Sequence, residues 1–246
     1  MKLFQRIFFA VILAGLASGA VLAAVHQWRL APLILQAEVY EDADAAKAEA
    51  APVHQHDAAA PAHEHEAADW APSNGFQRIG LTVVADIFAA IGFAFILAAA
   101  SILTGLPVTA ANGVIWGLCG FLIFQLLPAF GLPPELPGMP AADLVSRQMW
   151  WWGCAIVSAT AFFGIAKFRN GPAVAIGAVL LLLPHVIGAP PIPETETSLP
   201  AHLATSFAAS ALTASAAFWL VLGPLYGWLS ERLARVPETQ AKRALA

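Results

Sequence analysis

The chain has 246 residues, of which 59% are hydrophobic and only 11% are charged, and its formal net charge is -4. Soluble domains average roughly 45–50% apolar and 25% charged residues, so the apolar excess is too large for one buried core and indicates an integral membrane protein. The sequence has no basic stripe, so we expect no nucleic-acid partner.

Six apolar stretches are long enough to cross the hydrocarbon core, which requires about 20 residues per helix. They cover approximately residues 6–26, 79–103, 113–130, 148–167, 171–189 and 203–229. Charged residues or proline-rich turns bound each stretch. The sequence therefore predicts an all-α, polytopic protein with about six transmembrane helices, a single membrane domain over residues 1–246 and a cytoplasmic tail over 231–246.

The first stretch has an alternative interpretation as a signal peptide, because a basic N-terminus precedes it and residues 21–23 (Val-Leu-Ala) resemble a cleavage site. A retained helix is favoured, since the apolar run continues to Val25. Residues 15–19 (Gly-Leu-Ala-Ser-Gly) also have the GxxxG spacing of closely packed helices, and residues 113–117 repeat it.

The distribution of lysine and arginine predicts the orientation. With both termini in the cytoplasm, eight of the twelve Lys and Arg residues lie on the inner side and four on the outer side, as the positive-inside rule requires. We therefore expect a multi-pass membrane protein with both termini in the cytoplasm. Thirteen of the sixteen acidic residues lie outside, where they would concentrate cations. An equally supported alternative is that they only accompany the positive-inside bias.

The first outer segment, residues 27–78, is rich in Ala, His and acidic residues and is predicted to be a flexible loop, because it offers little apolar surface to offset the entropy of ordering. Four of the seven histidines form two His-x-His pairs within it: His54, His56, His63 and His65. Imidazole is a common ligand of divalent transition metals, and residues i and i+2 of an extended chain point the same way. The pairs predict a metal-collecting loop; the alternative is a solubilising linker.

Two ionisable residues lie inside apolar stretches. Counting 1.5 Å per residue places Asp86 roughly 10 Å and His185 roughly 9 Å below the outer face. Pro184 removes the helical donor of the Leu180 carbonyl, and freed carbonyls of this kind build ion sites in transporters. The sequence predicts that Asp86, His185 and this carbonyl form a transient metal site. The alternative is a structural Asp–His hydrogen bond.

Further candidate ligands lie at the outer ends of the stretches, where stiff proline-rich turns can hold a carboxylate over a pore mouth or serve only as rigid turns. They are Glu135 and His202, with Glu194 and Glu196 beside the latter. No nucleotide-binding, hydrolase or dinucleotide fingerprint is present, so we do not expect an enzyme.

Three motifs together resemble the CbtA-type cobalt transporter subunits of bacteria. They are residues 131–138 (Gly-Leu-Pro-Pro-Glu-Leu-Pro-Gly), 147–151 (Arg-Gln-Met-Trp-Trp) and 183–190 (Leu-Pro-His-Val-Ile-Gly-Ala-Pro). The resemblance runs from the first stretch to about residue 230. It implies a multi-helix subunit for cobalt uptake, accompanied by a small single-span, histidine-bearing partner of the CbtB type.

The sequence therefore predicts an inner-membrane transporter subunit that admits cobalt(II) or a similar divalent cation as its substrate and that requires no resident cofactor. The alternative is a membrane protein that does not transport, such as a metal sensor or a scaffold for another permease. Residue types alone do not choose the metal, since nitrogen and oxygen ligands bind cobalt more weakly than nickel or copper.

Overall fold

The computed structural model describes residues 3–50, 72–193 and 197–244, and this part of the chain consists of helices and turns without β-strands. Helix α1 (Leu3–Val25) continues through a π-helical turn (His26–Leu30) into α2 (Ala31–Ala50). The other helices are α3 (Phe76–Thr104), α4 (Gly113–Phe121), α5 (Leu127–Ala129), α6 (Leu144–Phe168), α7 (Gly171–Ile187) and α8 (Ala201–Ala244). A second π-helical turn (Leu122–Leu126) joins α4 to α5. The prediction of an all-α protein is confirmed.

Four helical segments are long and apolar enough to cross a membrane: Leu3–Lys47, Phe76–Thr104, Leu144–Phe168 and Ala201–Arg235. Two apolar helices are shorter, Gly113–Ala129 and Gly171–Ile187. A helix of 17 residues such as α7 rises about 25 Å, at the short end of what a hydrocarbon core of about 30 Å requires. Each predicted stretch corresponds to a helix in a multi-pass architecture, and the crossing of the membrane by the two short helices stays a prediction.

Glycines bring the central helices into close contact at two places. Between α1 and α3, a Cβ added at Gly15 would lie 2.8 Å from the Cα of Ile91, and one at Gly19 would lie 2.9 Å from the α3 backbone. Between α4 and α8, one at Gly117 would clash with the carbonyl oxygen of Trp219. Since a side chain would force these backbones apart, both GxxxG spacings mark helix packing, as predicted.

The centre of the helix bundle is apolar. Trp219 of α8 is 1% exposed, and its ring lies 5.9 Å from the ring of Phe124 and 5.2 Å from that of Phe93, measured between centroids. Helices α1 and α3 add small buried residues to the same core, including Ala14 and Ala90. Contacts of this kind stabilise the bundle by burial of apolar and aromatic surface.

The first outer segment differs from the prediction of a flexible loop over residues 27–78. Its first half, up to Ala50, is helical and continues α1. Alanine and glutamate are strong helix formers, so the low-complexity composition that suggested a loop also suits a long helix. Ala37 of α2 is fully buried, in a second core with Leu30, Leu136, Leu203 and Phe207. Burial against the outer turns offsets the ordering entropy of this helix.

Polar contacts also fix α2. Arg78 at the start of α3 donates two hydrogen bonds to Glu38, one of 2.9 Å, and this guanidinium lowers the pKa of the Glu38 carboxyl. Ser198 donates to Asp44 through its hydroxyl at 2.6 Å, and its hydrogen bonds lower the pKa of Asp44. Helix α2 and the turns before α6 and α8 therefore form an ordered layer at one end of the molecule, which is the outer layer in the predicted orientation.

The remaining helices form a hairpin at one side. Helix α7 packs against α6, and α6 reaches the bundle through α5 and the second π-helical turn. Helix α7 ends at Gly188, whose φ of 90° lies in the region that favours glycine. At the other end of the chain, α8 continues to Ala244, so the described part of the predicted tail over 231–246 is helical.

Candidate functional site

Asp86 is a buried carboxylate on α3, with 7% of the residue exposed. Its partner is His26, whose Nδ1 lies 2.8 Å from each carboxylate oxygen. The sequence placed Asp86 beside His185, and the structure does not bring these two together. An aspartate within an apolar helix is costly unless it has a partner, and here the partner comes from α1.

Sequence reasoning missed His26, because the residue stands at the end of the first predicted stretch and resembles an ordinary boundary residue. It begins the π-helical turn, in which the N–H of Ala31 donates to its carbonyl oxygen. Short π-helical turns are rare and often occur at functional sites. The usable signal was the presence of an imidazole and a carboxylate on the first two apolar stretches, near the same membrane face.

The depth of the pair follows from its neighbours. Trp28 and Arg29 follow His26 by two and three residues, and both residue types favour the membrane–water boundary. Helical rise had placed Asp86 roughly 10 Å below that boundary. The hydrogen bond joins His26 and Asp86 at one level, so the depth expected for Asp86 applies to both residues.

His185 lies in a different environment, which we call the aromatic corner and define as Phe130, Trp150 and His185. The imidazole is 5.9 Å from the Phe130 ring and 6.1 Å from the Trp150 ring, between centroids. Its Nε2 atom is buried, and no hydrogen-bond partner for it exists among the described residues. A Cβ added at nearby Gly131 would lie 2.5 Å from Trp150 and 2.8 Å from Ala189. The corner is tightly packed.

Glu135 is half-buried and pairs with Arg147, whose Nη1 lies 2.7 Å from a carboxylate oxygen. Its predicted role as a free ligand over a pore mouth would require breaking this ion pair. The Nε of Arg147 and the indole nitrogen of Trp150 are buried donors that lack partners in the described part of the chain. An unpartnered indole N–H of Trp150, the ring neighbour of His185, presents a positive dipole end and disfavours a cation at the aromatic corner.

The three motifs that carry the resemblance meet at this corner. Gly131 contacts Trp150 and Ala189, and Glu135 pairs with Arg147. These residues come from the turn after α5, the start of α6 and the end of α7. The motifs therefore share one packed region that joins the α6–α7 hairpin to the rest of the fold.

The other candidate ligands are one described residue and six residues outside the described ranges. His202 is exposed in the first turn of α8. His54, His56, His63, His65, Glu194 and Glu196 lie outside the described residues. Across residues 3–50, 72–193 and 197–244, no three His, Cys, Asp or Glu side chains group closely enough to hold a metal ion. The described part of the chain therefore offers a two-residue contact and no closed metal centre.

A cavity of about 550 Å³ lies between α3, α4 and α6. Its lining is mainly apolar, and its ionisable lining residues are Cys119 and Arg169. A guanidinium at the mouth of an apolar cavity repels cations. The cavity is therefore a poor site for a metal ion.

Comparisons with known proteins give the family. No curated protein and no solved structure matches the chain. A family described as "Probable cobalt transporter subunit (CbtA)" matches residues 4–231, which include all eight helices except the end of α8. This confirms the family that the three motifs indicated. The chain belongs to the CbtA cobalt transporter subunit family.

Proposed function

We propose that this chain is the membrane-embedded subunit that admits cobalt(II), or a similar divalent cation, through the inner membrane into the cytoplasm. The observation that carries the proposal is the buried His26–Asp86 pair on two apolar helices. A carboxylate at membrane depth marks an ion path by default, because its burial is otherwise costly. Family membership indicates which ion is transported. The His26–Asp86 pair is the proposed place where this ion enters.

The proposed route begins at the anionic outer face. The acidic residues and the loop histidines His54, His56, His63 and His65 raise the local cation concentration, and the ion then passes to the His26–Asp86 pair. The depth expected for the pair makes it reachable from the outer side. A two-residue contact binds weakly, which suits transport, since an ion must leave a site as readily as it enters.

The membrane potential is sufficient to drive entry. A doubly charged cation that moves into a negative-inside compartment gains about 4.6 kcal/mol per 100 mV. No ATP-binding motif occurs in the sequence, and none is required for this energy source. The family description calls its members subunits, which implies a partner protein. We propose that this partner is the small single-span, histidine-bearing protein of the CbtB type.

The test is cobalt entry into liposomes that contain the purified chain, with and without its companion, and a metal-sensitive dye inside. Entry should rise with an imposed inside-negative potential and be absent from protein-free vesicles. Entry independent of potential would contradict the proposed energy source. Binding without entry under every condition would favour the alternative, a sensor or scaffold.

The six-span arrangement with both termini in the cytoplasm is a second part of the proposal. Its support is the excess of Lys and Arg on the inner side and the correspondence of each apolar stretch with a helix. Reporter fusions after Ala59 and at the C-terminus should give opposite signals. Matching signals would overturn the arrangement, whichever ion the protein carries.

A further inference from the structure

The His26 ring presents two nitrogen atoms with different surroundings. Nδ1 lies 2.8 Å from both oxygens of Asp86. Nε2 has no hydrogen-bond partner among the described residues, and 27% of the side chain is exposed. The side chain of Asp86 is only 9% exposed. An ion that reaches this pair therefore meets the imidazole before it meets the carboxylate.

This arrangement has a chemical consequence. A hydrogen bond from Nδ1 to a carboxylate leaves the lone pair of a neutral imidazole on Nε2, the atom that then binds a metal. The carboxylate fixes the ring orientation and makes Nε2 more basic. Both Asp86 oxygens lie 2.8 Å from Nδ1, and the carboxylate is the more buried member of the pair, so the imidazole is the more accessible ligand.

We propose that Nε2 of His26 is the atom of this site that contacts the metal, and that Asp86 is a positioning residue and not a ligand. The inference rests on the proposed function for the class of ligand, a divalent transition-metal cation. Imidazole nitrogen selects such ions over magnesium and calcium, which prefer oxygen. Water or other groups complete the coordination shell, because no third His, Cys, Asp or Glu joins the pair in the described residues.

The aromatic corner provides a matched comparison. His185 also has an unpartnered Nε2, but that atom is enclosed, its ring neighbours are Phe130 and Trp150, and no carboxylate orients its ring in the described structure. The proposal therefore predicts that two histidines near the same membrane face behave differently toward cobalt.

The test measures equilibrium binding of radiolabelled cobalt to the purified full-length chain in detergent. A parent variant with His54, His56, His63 and His65 replaced by alanine removes binding by the loop. His26→Asn is the key substitution, because its amide nitrogen lies where Nδ1 stood and can still donate to Asp86, whereas Nε2 is lost. His185→Asn is the control, and Asp86→Asn tests the positioning role.

We expect His26→Asn to weaken cobalt binding at least about tenfold, Asp86→Asn to weaken it by about 10–100-fold, and His185→Asn to change it by less than about twofold. X-ray absorption of bound cobalt should show imidazole scattering in the parent and in Asp86→Asn, and lose it in His26→Asn. Unchanged binding in His26→Asn would overturn the proposal. Loss of binding in Asp86→Asn alone would make Asp86 the ligand instead.

A second measurement applies if His26→Asn does not fold. In the parent variant that lacks the four histidines of the His-x-His pairs, cobalt should slow the carbethoxylation of His26 by diethyl pyrocarbonate, and magnesium should not. Peptide mass spectrometry follows the labelling of His26. Equal labelling with and without cobalt would overturn the proposal. Neither measurement reads transport, so a chain that binds through His26 but moves no ion would contradict the proposed function alone.

Discussion

Two histidines lie near the ends of apolar helices, and their surroundings differ. His26 of the π-helical turn after α1 bonds to the buried carboxylate of Asp86 at 2.8 Å. His185 of α7 lies between the rings of Phe130 and Trp150, and its buried Nε2 has no partner in the described residues. Depth and an adjacent proline made His185 the stronger candidate in the sequence, but the chemistry of the partner favours His26.

The ability of a histidine inside a membrane helix to bind a metal depends on what its two ring nitrogens contact. A carboxylate on one nitrogen prepares the other for a metal, whereas aromatic neighbours only pack against the ring. Glycines of α1 also allow a close contact with α3, the helix that carries Asp86. The His26–Asp86 pair therefore lies next to closely packed helices.

The largest effect is expected from Asp86→Leu. The substitution removes the carboxylate that orients His26, so cobalt uptake at saturating external metal should fall at least about tenfold. Uptake by cells or liposomes, normalised to inserted protein, measures the effect. Asp44→Asn is the control, because it neutralises an acid whose side-chain partners among the described residues are Ser198 and Lys47. Normal uptake by Asp86→Leu would remove the site from the path.

Packing substitutions should separate the two regions. Gly19→Leu places a side chain against the α3 backbone, so it should lower both thermal stability and uptake by driving α1 from α3. Gly131→Leu crowds Trp150 and Ala189 and should cost about 1–3 kcal/mol of stability, the usual penalty of overpacking. Uptake per folded molecule should nevertheless survive at low temperature. Loss of uptake by folded Gly131→Leu would give the aromatic corner a direct role.

A smaller effect is expected from His185→Leu. The change removes a buried nitrogen without a partner, which costs about 1–3 kcal/mol where it is truly unsatisfied, and keeps a similar volume. Stability should stay level or rise, and cobalt uptake should remain within about twofold of wild type. Thermal unfolding in detergent and liposome uptake measure the two quantities. A stable variant without uptake would restore His185 as a ligand.

The smallest effect concerns Glu38→Gln in the outer layer. Folding lowers the pKa of Glu38 through Arg78, so the pair contributes stability above the ordinary carboxyl pKa and loses it as pH falls through the lowered value. At pH 7 the variant should be less stable than wild type by up to about 1 kcal/mol. Thermal midpoints measured from pH 7 to about pH 3 should converge on the acid side. A constant difference would mean that Glu38 acts by packing alone.

Much of the fold could be predicted from the sequence, because hydrocarbon thickness imposes long apolar stretches. The GxxxG spacing at residues 15–19 correctly indicated close packing, since only glycine allows the backbone approach seen at Ile91. The helical course of residues 31–50 was missed, because an alanine-rich acidic segment suits either a linker or a helix until its burial is known. The burial of Ala37 in the second core favours the helix over the linker.

The candidate site was predicted less well, because pairing across helices depends on rotation about the helix axes. Helical rise gave Asp86 and His185 a similar depth, but depth alone does not place two side chains on facing surfaces. The π-helical turn at His26 changes which side of the helix the neighbouring side chains face, and no residue pattern in the sequence predicted this turn. Glu135 was predicted as a carboxylate held over a pore mouth, and this role stays a prediction; its ion pair with Arg147 became apparent only in three dimensions.

The most direct measurement of the central claim is an anomalous-scattering map at the cobalt edge, from crystals of the full-length chain soaked in cobalt(II). We predict a peak at coordination distance from Nε2 of His26, with Nδ1 still bonded to Asp86. A peak at the aromatic corner beside His185, with none at His26, would contradict the account.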